Sequence, residues 1–183
     1  MDDLIPTLIL VGAYLAGASG VILIACRFFP AGRAFVRQMV GGQELWFAFA
    51  AALLMSLASL YLSEIRHFNP CRFCWFQRIC AYPLTIVLGW AAWRRDRQAW
   101  APALTLAGIG VALSTWHIAL DIGWISEGDS CDPLNPCTTR WNGFENSWST
   151  IQVGALCCFL FIIGLGLHAL ASPDSTTQPP VEA

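Results

Sequence analysis

The sequence contains no lysine; all ten of its basic residues are arginine. Schiff-base catalysis and the lysine of a Walker-type phosphate loop are therefore excluded. Charge of either sign is scarce, at 12% of 183 residues, roughly half the ~25% of an ordinary soluble domain. So little charge neither solvates a disordered chain nor steers a nucleic acid, and it weighs against a soluble enzyme. The formal net charge of −2 selects no partner. Repeats with periods of roughly 20–50 residues are missing too, which removes the solenoids.

Apolar surface is abundant instead. Hydrophobic residues make up 56%, nine residues are tryptophan, and the mean hydropathy is +0.56. A helix needs about 20 mostly apolar residues to cross roughly 30 Å of hydrocarbon. Five stretches qualify: 4–25, 45–62, 74–93, 101–120 and 150–171. Their apolar residues run all the way round, whereas a soluble bundle shows polar faces at a 3.6-residue period. The stretch 4–25 follows an acidic start, Met1-Asp2-Asp3, and reads as a span rather than a cleaved signal peptide. The expected fold is an all-α membrane protein of five spans.

Arginine distribution sets the expected orientation. The link 26–44 holds Arg27, Arg33 and Arg37, and the link 94–100 holds Arg94, Arg95 and Arg97. Both belong on the cytoplasmic side. The loops 63–73 and 121–149 then face outward, with Arg66 and Arg72 in one and Arg140 in the other. The longer loop is acidic, with Asp121, Glu127, Asp129, Asp132 and Glu145. Trp124, Trp141 and Trp148 are expected to hold it at the interface. The N-terminus is outside, and the tail 172–183 is an expected disordered cytoplasmic segment.

Eight cysteines divide into two groups. Cys26, Cys80, Cys157 and Cys158 lie in or beside apolar runs and read as packing residues, as does His168. Cys71, Cys74, Cys131 and Cys137 lie in connecting segments on the expected outer face, where disulfides persist. Cys71-Arg72-Phe73-Cys74 is a Cys-x-x-Cys at a predicted helix start, with Asn69 as expected N-cap and Pro70 in the first turn. The partial positive charge of a helix N-terminus favours a thiolate. Arg78 is one helical turn beyond Cys74 and favours the anionic form of that thiol. Pro83 is expected to bend the helix. His117 falls at about the depth of Arg78, suited to bonding a small polar head group or passing a proton. Together these make a redox site in the outer leaflet the expected reading. In the outer loop, Cys131 and Cys137 flank Asp132-Pro133-Leu134-Asn135-Pro136, a tight turn expected to carry an exposed, exchangeable disulfide.

These residues resemble the disulfide bond formation protein DsbB family, especially its short BdbC-like branch. The resemblance covers about residues 45–171. It rests on Cys71-Arg72-Phe73-Cys74-Trp75-Phe76-Gln77-Arg78, Tyr82-Pro83-Leu84, His117, the Cys131…Cys137 pair and Arg140-Trp141. It implies a four-helix, quinone-reducing core at 45–171, preceded by an extra helix and link at 1–44. It also implies a thiol:quinone oxidoreductase of the bacterial cytoplasmic (inner) membrane. That enzyme reoxidises a secreted thioredoxin-like, DsbA-like partner and passes electrons to ubiquinone or menaquinone, with no metal. By resemblance, Cys131 takes the partner's attack and Cys137 exchanges with Cys71. Cys74 is the thiolate at the quinone, and Arg78 and His117 are its head-group neighbours. The span 4–25 has no counterpart, and the short spacing of Cys131 and Cys137 leaves their order of attack open.

Three other readings use the same residues. A structural multi-pass protein would hold static disulfides and need neither Arg78 nor His117. A four-thiolate metal site would have to survive oxidation. The vitamin K epoxide reductase family places its loop cysteines before the membrane Cys-x-x-Cys, the reverse of the order here.

Overall fold

A computed structural model describes residues 4–126, 128, 131, 132, 134–139 and 150–171. The described residues are mostly helical: α1 Leu4–Cys26, α2 Pro30–Val40, α3 Glu44–Leu60, α4 Arg72–Arg94, α5 Trp100–Asp121 and α6 Ile151–Ala171. A π-turn, Tyr61–Ile65, extends α3, and a 3-10 turn, Arg97–Ala99, leads into α5. Arg140, Trp141, Glu145 and Trp148 lie outside the described residues, as do Met1–Asp3, Glu127, Asp129 and the tail 172–183.

Four helical segments are long and apolar enough to cross a membrane: Leu4–Cys26, Glu44–Ile65, Arg97–Asp121 and Ile151–Ala171. They correspond to four of the five expected spans, and the chain is a multi-pass membrane protein. The remaining stretch, 74–93, does form a helix of membrane-crossing length within α4. Gln77 and Arg78 lower its hydropathy, and it does not stand among the four. Pro83 does not interrupt it: α4 runs unbroken for 23 residues. The link 26–44 is more than a connection, because Pro30 opens α2 there at a position where a missing N–H costs nothing.

Packing follows the small and apolar faces. α3 packs on α4, α4 on α5, α5 on α6 and α6 back on α3. Ala48 and Ala52 of α3, Leu84 and Leu88 of α4, Ala103 and Ala107 of α5, and Phe159 and Ile162 of α6 are buried between them. Helices in lipid gain from close packing rather than from water exclusion, which puts small residues at their interfaces. α1 docks the same way along α6. A Cβ on Gly20 would stand 2.6 Å from the Phe161 backbone nitrogen, so only glycine permits this approach. His168 is an interface residue, as its position in the sequence suggests: its Nε2 donates to the Leu23 carbonyl, 2.8 Å away. At the same end, Arg97 donates to the Ala169 carbonyl. Cys71, Cys131 and Cys137 gather at the opposite end.

Candidate redox site at the head of α4

The helix start differs from the expected one. Cys71, not Asn69, is the N-cap: its backbone is extended (φ −70°, ψ 174°), and its Sγ accepts the Cys74 N–H at 3.4 Å. Pro70 therefore precedes the cap instead of occupying the first turn. A sulfur in the capping position meets the positive end of the helix dipole directly.

Two further groups converge on that sulfur. The Cys74 Sγ lies 2.9 Å away and His117 Nε2 3.7 Å away. The pKa of Cys71 is lowered to about 4. The hydrogen bond with the Cys74 side chain is the largest cause; burial opposes it, and the hydrogen bond and charge of His117 reinforce it. Cys71 is thus the cysteine at which the N-terminal geometry stabilises an anion, a part the sequence gives to Cys74.

His117 comes from α5 and is almost wholly buried, at 1% exposure. Its Nε2–H also donates to the Cys137 carbonyl at 3.0 Å, while its Nδ1 is buried without a hydrogen-bond partner among the described residues. The ring packs beside Phe73, centroid to centroid 5.6 Å.

Cys131 and Cys137 form a disulfide. The sequence expects this bridge to be exposed, but both cysteines are 5% exposed. They pack with Cys71, Phe73 and Leu120, and the partly buried Cys74 joins them. The short ring folds down onto α4 because Asn135 Nδ2 donates to the Pro70 carbonyl at 3.1 Å. All four outer cysteines therefore share one apolar cluster.

Below the cluster is a cavity between α3, α4 and α6. Cys71, Cys74, Gln77, Arg78, His117 and Cys137 face it, together with Met55, Leu62 and Phe159. Arg78, buried in α4, is held there by α3: its Nε donates to Ser59 Oγ at 2.9 Å and an Nη to the Ser59 carbonyl at 3.0 Å. Its guanidinium also stacks 5.1 Å from the Trp75 ring centroid. Among the described residues no carboxylate pairs with it. A buried arginine without an acid keeps hydrogen-bonding capacity for a polar group in the cavity. Gln77 is fixed by its Nε2 donating to Ser114 Oγ at 3.2 Å.

Every expected site residue described here reaches this one region. Ser59, Gln77 and Asn135 also belong to this region, and sequence reasoning assigns them no part in it. A signal for Ser59 exists: Ser56, Ser59 and Ser63 recur at helical spacing in the otherwise apolar α3. Ser56 Oγ meets Thr85 Oγ1 of α4 at 2.9 Å, so this polar stripe is the face that α3 turns to α4. The sulfurs of Cys71 and Cys74 and a ring nitrogen of His117 lie within 4.8 Å of one another, a donor set that would also suit a thiophilic metal.

Comparison with known proteins places this geometry. The family model described as "Disulfide bond formation protein DsbB" matches residues 41–159, from just before α3 into α6. A "Probable disulfide formation protein" of Coxiella burnetii is 46% identical over 82 residues, covering 45% of this chain and 56% of that protein. The chain thus spans little more than half the length of that relative. A "Probable disulfide formation protein" of Deinococcus radiodurans is 37% identical over 111 residues, 60% of this chain and 72% of that protein. In Bacillus cereus, a "Probable disulfide formation protein C" is 35% identical over 124 residues, 63% of this chain and 88% of that protein. No solved structure matches. A match of this extent, covering α3, α4, α5 and the cysteine-bearing loops, establishes that the chain belongs to the DsbB family of disulfide bond formation proteins.

Proposed function

We propose that this protein is a membrane thiol:quinone oxidoreductase that generates disulfides for secreted proteins and so assists their folding. Its partner is a thioredoxin-like, DsbA-like dithiol outside the cytoplasm. The supporting observation is a single cavity that brings the Cys71–Cys74 pair, Arg78, His117 and the Cys131–Cys137 loop together. A quinone held there, ubiquinone or menaquinone, supplies the electron sink: overall, a dithiol and a quinone become a disulfide and a quinol, two electrons and two protons moving together.

The cavity suits such a head group. Apolar surface makes up most of its wall, with Met55, Leu62 and Phe159, and its polar side chains Gln77 and Arg78 are fixed by neighbours. Arg78 and Gln77 are the donors that would hold a carbonyl oxygen.

The protein's own sulfurs perform the relay. The reduced partner's thiolate attacks the loop disulfide, at Cys131 in the favoured assignment, and displaces the thiolate of Cys137. The partner's second thiolate then attacks its own sulfur in that mixed disulfide and leaves oxidised, releasing Cys131. Cys137 attacks Cys71 of an oxidised Cys71–Cys74 pair, its neighbour in the buried cluster, and Cys74 departs as thiolate. Cys131 next attacks Cys137, which restores the loop disulfide and leaves Cys71 and Cys74 reduced. Charge on the helix-end pair thus alternates. Cys71 holds it in the free dithiol, where the helix terminus and His117 support it. Cys74 holds it while Cys71 is bonded to Cys137, one turn from Arg78. His117, touching both Cys71 and the Cys137 carbonyl, orients this exchange.

Arginine placement supports an orientation with the four cysteines outside the cytoplasm, in the bacterial inner membrane. α4 then serves as the remaining transmembrane helix of a four-helix core, its arginine buried against Ser59 rather than facing lipid. Static disulfides in a purely structural protein would leave the buried Arg78 and the lowered Cys71 thiol without a purpose. The test is turnover: purified protein, reduced thioredoxin-like dithiol and quinone should give quinol and oxidised dithiol in equal amounts. Oxidation that proceeds equally well without quinone would refute the proposal.

A further inference from the structure

The end of the molecule opposite the cysteines carries a second set of built features. α2 joins α1 to α3 and has three distinct flanks. Val36 is buried against the core, whereas Phe35 and Met39, one turn apart, are 60% and 65% exposed. Phe28 and Phe29, just before the helix, are exposed as well. At about 100° per residue, Arg33 and Arg37 fall on the flank away from Phe35 and Met39. No acidic residue occurs between Cys26 and Gln43.

The two arginines border a small crevice shared with His168 and Ala171 at the end of α6 and Glu44 at the start of α3. It holds two guanidiniums against one carboxylate, that of the buried Glu44. α1 and α6 end here and α3 begins here, so the crevice stands at the level where lipid head groups meet water. Short helices with an apolar ridge on one flank and arginine on the other lie in the membrane plane. Basic crevices between helix ends on the arginine-rich side attract acidic head groups.

We infer that α2 lies in the plane of the membrane and that the crevice bordered by Arg33 and Arg37 binds the head group of an anionic phospholipid. Phe35 and Met39 then sit among the acyl chains. This goes beyond the redox reading and rests only on the membrane-spanning helices, so it stands or falls separately from quinone turnover.

The experiment uses the full chain reconstituted in vesicles of phosphatidylcholine and phosphatidylglycerol, with retained lipids counted by native mass spectrometry. Wild type should retain phosphatidylglycerol over phosphatidylcholine by a factor on the order of ten. The preference should shrink as ionic strength rises. It should fall to parity in the R33Q/R37Q pair and survive in R33K/R37K. Added inorganic phosphate should leave it unchanged, since a free ion lacks the acyl chains. Equal retention of both lipids by wild type, a preference indifferent to salt or to the glutamine pair, or displacement by inorganic phosphate would each overturn the inference. The wild-type ratio and its salt dependence decide the matter even if the glutamine variant fails to fold.

Discussion

His117 Nε2 lies 3.7 Å from the sulfur of Cys71 and 3.0 Å from the carbonyl oxygen of Cys137, so one imidazole touches both cysteine pairs. This contact ties the chemistry of the helix end to the position of the loop.

It yields a pH prediction for the reduced protein. A thiol whose pKa is lowered to about 4 is ionised above that value and loses its charge as pH falls through it. Alkylation of Cys71, followed by peptide mass mapping, should therefore be nearly flat between roughly pH 5 and 8. In H117A the fall should move to higher pH, because a hydrogen bond to the thiolate is gone. A wild-type midpoint near the ordinary ~8.5 would contradict the assignment.

Ser59 and Arg78 make a second prediction. R78A should raise the apparent KM for quinone, and S59A should do so less, since Ser59 only holds the guanidinium. A hydrogen bond to a charged group is worth about 1.5–3 kcal/mol, so an effect on the order of tenfold or more is expected for R78A. Steady-state kinetics against quinone concentration reads it. Unchanged KM in both variants would mean that Arg78 serves packing alone.

Asn135 fastens the loop ring to Pro70. N135A should slow transfer between the two cysteine pairs while leaving the quinone KM unchanged. Rapid-quench trapping of the mixed disulfide measures the first quantity. Equal transfer rates would show that the apolar cluster alone seats the loop.

α1 tests packing rather than chemistry. In G20V the new side chain meets the Phe161 and Leu160 backbone, which cannot move aside cheaply. A loss of about 1–3 kcal/mol is expected from overpacking, read as a lower Tm in detergent. An unchanged Tm would mean that α1 is only loosely held.

The legible and illegible parts of this molecule divide on physical lines. Long apolar runs announced α1, α3, α5 and α6 because lipid leaves the backbone no alternative to helix. The helix over 74–93 was equally legible, although Gln77 and Arg78 keep it below the hydropathy of the rest. α2 was missed because it is short and its faces are mixed, although Pro30 marks its start. The π-turn at Tyr61–Ile65 has no composition signal. The candidate site residues Cys71, Cys74, Arg78 and His117 were visible because charge is rare in such a chain and four of its eight cysteines stand outside the apolar runs. Burial of the Cys131–Cys137 ring was not, since it depends on Asn135 reaching a carbonyl far away in sequence. Ser59 was only half visible: the helical spacing of Ser56, Ser59 and Ser63 marks a polar face on α3 but does not name the arginine that it meets.

The most direct test of the relay separates its two arms. Protein reduced beforehand is mixed with quinone alone, without any partner dithiol, and quinol is counted per chain. The account predicts a burst from the wild type and from C131S, because Cys71 and Cys74 suffice, and none from C74S. A full burst from C74S, or none from C131S, would contradict the claim that the helix-end pair delivers the electrons.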